Sequence, residues 1–165
     1  MKLNKTMFFT LMILSIISRG QKKDFKSYIN TYYNFSVDTI SVQCLKKIRG
    51  EVKIIDSRSN VEYSTSKIKG ALFIDYKNPD FSNLNIHKTD TIVVYCTIGY
   101  RSEKIAEKLE KEGYLNVFNL YGGIIQWVNK NNPVFAPTGA QTPFVHTYNQ
   151  AWGKWLKNPN TEAVN

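Results

Sequence analysis

The chain has 165 residues, 42% of them hydrophobic and 21% charged, with a formal net charge of +9 at pH 7. That length holds one globular domain rather than two, and the composition excludes wholesale disorder. A mean hydropathy of −0.33 and the lack of a long apolar run exclude a multi-span membrane protein, while two cysteines are too few for a disulfide scaffold or a four-thiolate zinc site.

In chain order, residues 1–20 come first. Lys2 and Lys5 give a positive start, and Met7–Ile17 is apolar except for Thr10 and Ser15. Ser18 and Gly20 are small residues at the −3 and −1 positions of a cut before Gln21. The pattern predicts a signal peptide over 1–20 and export, periplasmic or secreted. The alternative is an uncleaved anchor, but at ~1.5 Å per residue so short a run spans only about half of the hydrocarbon core. No stable membrane insertion is expected after cleavage. The lysines are spread along the chain instead of clustering, so the charge reads first as a solvated surface with a mild bias toward small anions, and no nucleic-acid partner is expected.

A polar, Tyr-rich lead-in covers 21–36. Val42–Ile48 then reads as a short amphipathic helix, Val52–Asp56 as a buried strand, and Ala71–Ile74 as another after the Gly70 break. Thr91–Tyr95 (TIVVY) is the strongest strand signal, β-branched until its last residue. Ser102–Glu112 is predicted helical, with Ile105, Ala106 and Leu109 on one face and Gly113 as its stop. Asn116–Leu120 is a further strand and Ile124–Lys130 a helix around Trp127. Near-continuous apolar strands alternating with helices predict an α/β fold with a central, mainly parallel sheet covered by helices on both faces. Such sheets bind ligands at the carboxyl ends of their strands.

That rule points to the end of TIVVY, where Cys96-Thr97-Ile98-Gly99-Tyr100-Arg101-Ser102 leads into the Ser102–Glu112 helix. Backbone N–H groups of such a loop can curl around the sulfur as an anion nest. The helix dipole and Arg101 add positive potential, which together would favour the nucleophilic thiolate at Cys96. Gly99 allows a tight turn and Ser102 is placed to cap the helix. The residues alone leave a second reading open, in which Cys96 is a small buried hydrophobe.

The chain resembles the rhodanese (thiosulfate sulfurtransferase) family in its single-domain form, over about 37–133. Ile55-Asp56-Ser57-Arg58 with Glu62-Tyr63, Ile68-Lys69-Gly70-Ala71, the Cys96–Ser102 loop, and Tyr121-Gly122-Gly123-Ile124 with Trp127 match the family's blocks in order. The resemblance implies sulfur transfer without a cofactor or metal. Cys96 would take a sulfane sulfur from a small anionic donor such as thiosulfate, forming a persulfide. A thiol, cyanide or a protein acceptor would then remove it, with Thr97, Ile98, Gly99, Tyr100, Arg101 and Ser102 forming the substrate-binding loop. Four residues separate Cys96 from Arg101, whereas phosphatases resembling this fold need five. A binding or sensing module that uses the same loop without turnover is the rival reading.

Asp56 and Arg58 are expected to support the loop from the neighbouring strand end, with Glu62 as a candidate partner for Arg58. Cys44 reads as a packed or spectator thiol, although a Cys44–Cys96 disulfide is conceivable in an exported protein. His87 and His146 have no ligand spacing. In the extension 134–165, Tyr148–Leu156 is predicted to be an aromatic-rich helix that folds back onto the domain; a docking face is the alternative.

Overall fold

The structure is a computed structural model that describes residues 24–82 and 84–165; the predicted signal peptide lies outside them. Its centre is β4 (Thr91–Tyr95), in which Ile92 to Tyr95 are fully buried. Five parallel strands are ordered β1-β5-β4-β2-β3, with β1 Thr39–Ile40, β2 Lys53–Asp56, β3 Leu72–Phe73 and β5 Asn116–Leu120. Side chains alternate across a strand, so Val93 and Tyr95 join one core cluster while Ile92 and Val94 join the other. The first cluster packs α2 (Val42–Ile48) and α5 (Gly123–Asn129) through Leu45, Ile124 and Trp127. The second packs α4 (Tyr100–Lys111) through Ile105, Ala106 and Leu109. The expected parallel sheet with helices on both faces is therefore present.

Three elements ahead of β4 were not predicted. The lead-in contains α1 (Phe25–Asn30), capped by Asp24. β1 continues the sheet beside β5. α3 (Asn60–Thr65) begins with a capping box between Ser59 and Glu62. The predicted start of α4 is corrected by two residues. Gly99, at φ +112°, is its N-cap, a backbone conformation that glycine alone adopts without strain.

The predicted Tyr148–Leu156 helix shrinks to α6 (Gln150–Gly153). Tyr148 sits at φ +70° and cannot begin a helix. Beyond Gly153 the chain tightens into i→i−3 hydrogen bonds from Trp155 and Leu156. The rest of the extension forms the antiparallel pair β6 (Val134–Phe135) with β7 (Gln141–Thr142), and the parallel pair β8 (Phe144–His146) with β9 (Glu162–Val164). It folds back as expected: Val145 is fully buried in the first core cluster. Trp152 and Trp155 pack on a third cluster of Ile29, Tyr33, Ile98 and Ile125. Among the described residues, no helix is long and apolar enough to cross a membrane.

Candidate active site

Cys96 follows β4 directly and is 1% exposed. The Gly99 N–H donates to its Sγ at 3.2 Å. α5 holds the loop from below: Ile124 N–H donates to Cys96 O at 2.9 Å and Ile125 N–H to Thr97 O at 3.3 Å. A Cβ at Gly123 would lie 2.3 Å from Cys96 O, and one at Gly99 would lie 1.6 Å from Tyr33 Oη. Both glycines therefore permit close approach, not mere flexibility. Tyr33 Oη donates to Ile98 O at 2.6 Å and accepts from Gly122 N–H at 2.9 Å. Burial pushes the Tyr33 phenol far up, which keeps it neutral and donating.

On the other side of the loop, Asn119 at the end of β5 donates through Nδ2 to Gly99 O at 2.9 Å and accepts from Ser102 Oγ at 2.7 Å. Ser102 therefore does not cap α4, contrary to expectation. It is the third residue of the helix, within the first turn, and its hydroxyl reaches β5 instead. The first-turn N–H groups of Tyr100, Arg101 and Ser102 have no acceptor inside α4, and the positive end of the helix faces the Cys96 loop.

Arg101 reaches Glu62, donating from Nη1 to Oε2 at 2.7 Å and from Nη2 to Oε1 at 2.6 Å. Thr97 Oγ1 donates to Glu62 Oε1 at 2.9 Å and accepts from Arg101 Nη2 at 2.8 Å. Burial pushes the Glu62 carboxyl up, but the Arg101 hydrogen bonds and charge outweigh it, helped by the Ser59 N–H and the Arg58 charge, and hold it at about 2. The expected Glu62–Arg58 pair is corrected. Arg58 forks onto Asp56 instead, Nε to Oδ1 at 2.9 Å and Nη2 to Oδ2 at 2.7 Å. Both residues are fully buried. Tyr95 Oη donates to Asp56 Oδ2 at 2.6 Å, and Arg58 Nη2 also donates to Ser66 O. This cluster braces the carboxyl ends of β2 and β4.

Cys96, Thr97, Ile98, Tyr100 and Arg101 line a cleft of about 530 Å³. Its remaining wall comes from Thr31, Tyr32, Tyr76, Tyr148 and Trp152, none of which the sequence reading assigned to the site. For Tyr32, Tyr148 and Trp152 the signal was compositional, an excess of aromatic residues in the lead-in and the extension; only tertiary contact brings them to Cys96. The Arg101 guanidinium stands 5.1 Å over the Tyr148 ring. Tyr148 N–H donates to His146 Nδ1 at 3.1 Å. Burial pushes the His146 imidazole down, with Arg58 and Arg101 aiding and Glu62 opposing; a neutral ring keeps Nδ1 an acceptor. A larger concavity of about 770 Å³ lies between α1 and the extension, lined by residues such as Phe25, Tyr28, Lys154 and Trp155. None of its lining residues is a cysteine. Cys44 is free and exposed on α2, while Cys96 is free and buried, so the conceivable disulfide is not formed.

Residues 41–130 match the family model described as Rhodanese-like domain. The chain is 34% identical over 89 residues to a sulfurtransferase of Allochromatium vinosum, covering 54% of this chain and 83% of that protein. It is 37% identical over 83 residues to a tRNA uridine(34) hydroxylase of Aster yellows witches'-broom phytoplasma, covering 47% of this chain and 27% of that protein. The chain thus spans little more than a quarter of such hydroxylases. A rhodanese-like domain protein of Staphylococcus aureus superposes with a TM-score of 0.50 at 31% identity, covering 55% of this chain and 90% of that structure. The chain belongs to the rhodanese-like domain family.

Proposed function

We propose that this protein is a sulfurtransferase that moves a sulfane sulfur from a donor such as thiosulfate to a thiol or cyanide, through a persulfide on Cys96. The Cys96 thiolate attacks the outer sulfur of the donor. A new S–S bond forms to Sγ, the donor's S–S bond breaks, and the electron pair leaves with sulfite. The acceptor then attacks the terminal sulfur and returns the thiolate. The observation that carries this reading is the Gly99 N–H aimed at Sγ at 3.2 Å beside the amino end of α4. A fixed donor and an oriented dipole stabilise negative charge on the sulfur without reorganisation. The name of the Allochromatium relative supports the same chemistry.

The test is intact mass after incubation with thiosulfate. Mature protein and Cys44→Ser should gain about one sulfur atom that cyanide removes, and Cys96→Ser should gain none. If fully reduced wild-type protein takes no sulfur from thiosulfate or from other sulfane donors, the non-catalytic binding module replaces this reading. Export is part of the proposal, supported by the Lys2, Lys5, Ser18 and Gly20 pattern. Amino-terminal sequencing of protein from an expressing cell should begin at Gln21 if cleavage occurs there.

A further inference from the structure

Four of the ten residues that line the Cys96 cleft lie outside the matched domain. Tyr32 belongs to the lead-in, and Tyr148 and Trp152 to the extension, all beyond residues 41–130. With Tyr76 and Tyr100 they make half of the lining aromatic. Tyr148, Tyr100 and Tyr32 are 58%, 42% and 38% exposed, so their rings stand at the rim of the cleft. Trp152 is fixed by edge contact with Tyr32 at 5.2 Å and a tilted contact with Tyr28 at 5.5 Å. The cleft's volume lies within the roughly 300–1,000 Å³ typical of sites for organic ligands, far beyond what one sulfur anion needs.

Two further observations separate this lining from ordinary packing. Tyr148 is held at φ +70°, an unfavourable backbone state for a bulky residue. A ring so exposed recovers little of that strain by burial, and strain of this kind gathers at ligand sites. Its conformation is kept by the hydrogen bond to His146 and by the Arg101 face. In addition, Arg101 is the one charged side chain among the described lining residues, and the Glu62 carboxylate already takes up its charge. A small dianion finds loop N–H groups but no uncompensated cation in the wall. A monoanion with a flat apolar body finds both N–H groups for its head and rings for its body.

We propose that Tyr148 and Trp152 make this site selective for sulfane-sulfur donors with an aromatic body, represented by the arenethiosulfonates. This rests on the sulfurtransferase reading above. The Cys96 thiolate attacks the terminal sulfur of the thiosulfonate, the Sγ–S bond forms, and the donor's S–S bond breaks. The electron pair leaves on the arenesulfinate, and the persulfide remains on Cys96. No oxidant or reductant is consumed.

The experiment compares kcat/KM for benzenethiosulfonate and methanethiosulfonate, which share a reactive head, each normalised to its rate with a free cysteine derivative. The full chain should favour the aromatic donor by about tenfold or more, since ring contacts and added apolar burial both act on it. Tyr148→Gly and Trp152→Ala should each reduce that ratio by roughly threefold or more, and Tyr148→Phe should retain it. Glycine adopts φ +70° without strain, so Tyr148→Gly separates loss of the ring from loss of the fold; circular dichroism checks both variants. Independently of chemistry, Cys96→Ser should bind benzenesulfonate by titration calorimetry and bind methanesulfonate at least several-fold more weakly. Equal normalised rates with intact sulfur transfer to Cys96 would overturn the selectivity and leave the sulfurtransferase reading standing. Failure of both donors and of thiosulfate to load Cys96 would overturn both.

Discussion

Tyr33 shows how one hydroxyl positions the nucleophile. It stands in the lead-in, yet its oxygen accepts from Gly122 N–H and donates to Ile98 O, joining the Cys96 loop to the turn that starts α5. Space for that oxygen exists only because residue 99 has no Cβ. Tyr33→Phe keeps the ring and removes the oxygen, leaving a buried C=O and a buried N–H without this partner. An unsatisfied buried group costs about 1–3 kcal/mol. Urea denaturation should show a loss of that size, and persulfide formation should slow because Gly99 is no longer held against Sγ. Tyr28→Phe, which disturbs only the 3.3 Å contact between the exposed Tyr28 and Tyr32 hydroxyls, should leave stability within about 0.5 kcal/mol. Equal effects from the two substitutions would show that the Tyr33 hydroxyl does not fix the loop.

At the scale of elements, legibility followed apolar periodicity. β4, β5 and α2 carry dense apolar patterns, and their predicted bounds agree with the structure. α3 was missed because Asn60-Val61-Glu62-Tyr63-Ser64-Thr65 has almost no apolar face; its signal was the Ser59 and Glu62 capping box. The reactive half of the site was legible because Cys96 to Ser102 is contiguous in sequence. The aromatic half was not, because Tyr32, Tyr76, Tyr148 and Trp152 meet only in the folded chain. Glu62 was assigned to Arg58, the basic residue nearer in sequence, whereas Asp56 already forks onto that guanidinium.

The extension has a testable structural role. It contributes the fully buried Val145 to the main core and lays Trp152 and Trp155 over Ile29, Tyr33, Ile98 and Ile125. Each large apolar side chain removed from such contact forfeits roughly 1.5–3 kcal/mol. In a protein of this size each kcal/mol shifts Tm by about 2–4 °C. Deleting residues 140–165 should therefore lower Tm by about 10 °C or more in calorimetry. An unchanged melting curve would mean that the extension adds nothing to the core and serves the cleft alone.

At the scale of the whole molecule, Glu62 links local chemistry to global stability. Its carboxylate caps α3 through Ser59 and receives Arg101 and Thr97 from the active-site loop. Arg58 and His146 lie within its field, and α3 packs against β8. One ionised group therefore ties helix, loop and extension together. Its pKa of about 2 in the fold lies below the ordinary 4.5, so the folded state binds fewer protons there than the unfolded state. The resulting stabilisation is fully present above about pH 4.5 and is lost as the pH falls through about 2. Its size is on the order of 3 kcal/mol, from about 1.4 kcal/mol per pKa unit. Glu62→Gln should be less stable than wild type at pH 7 by an amount of that order. The gap in denaturation free energy should close between pH 4.5 and 2, because the wild-type carboxyl becomes neutral there as well. Other carboxylates titrate in the same range, but they are common to both proteins and cancel in the difference. A gap that stays constant from pH 5 to 2 would show that ionisation of Glu62 does not hold the loop, and that its side chain acts through shape and hydrogen bonding alone.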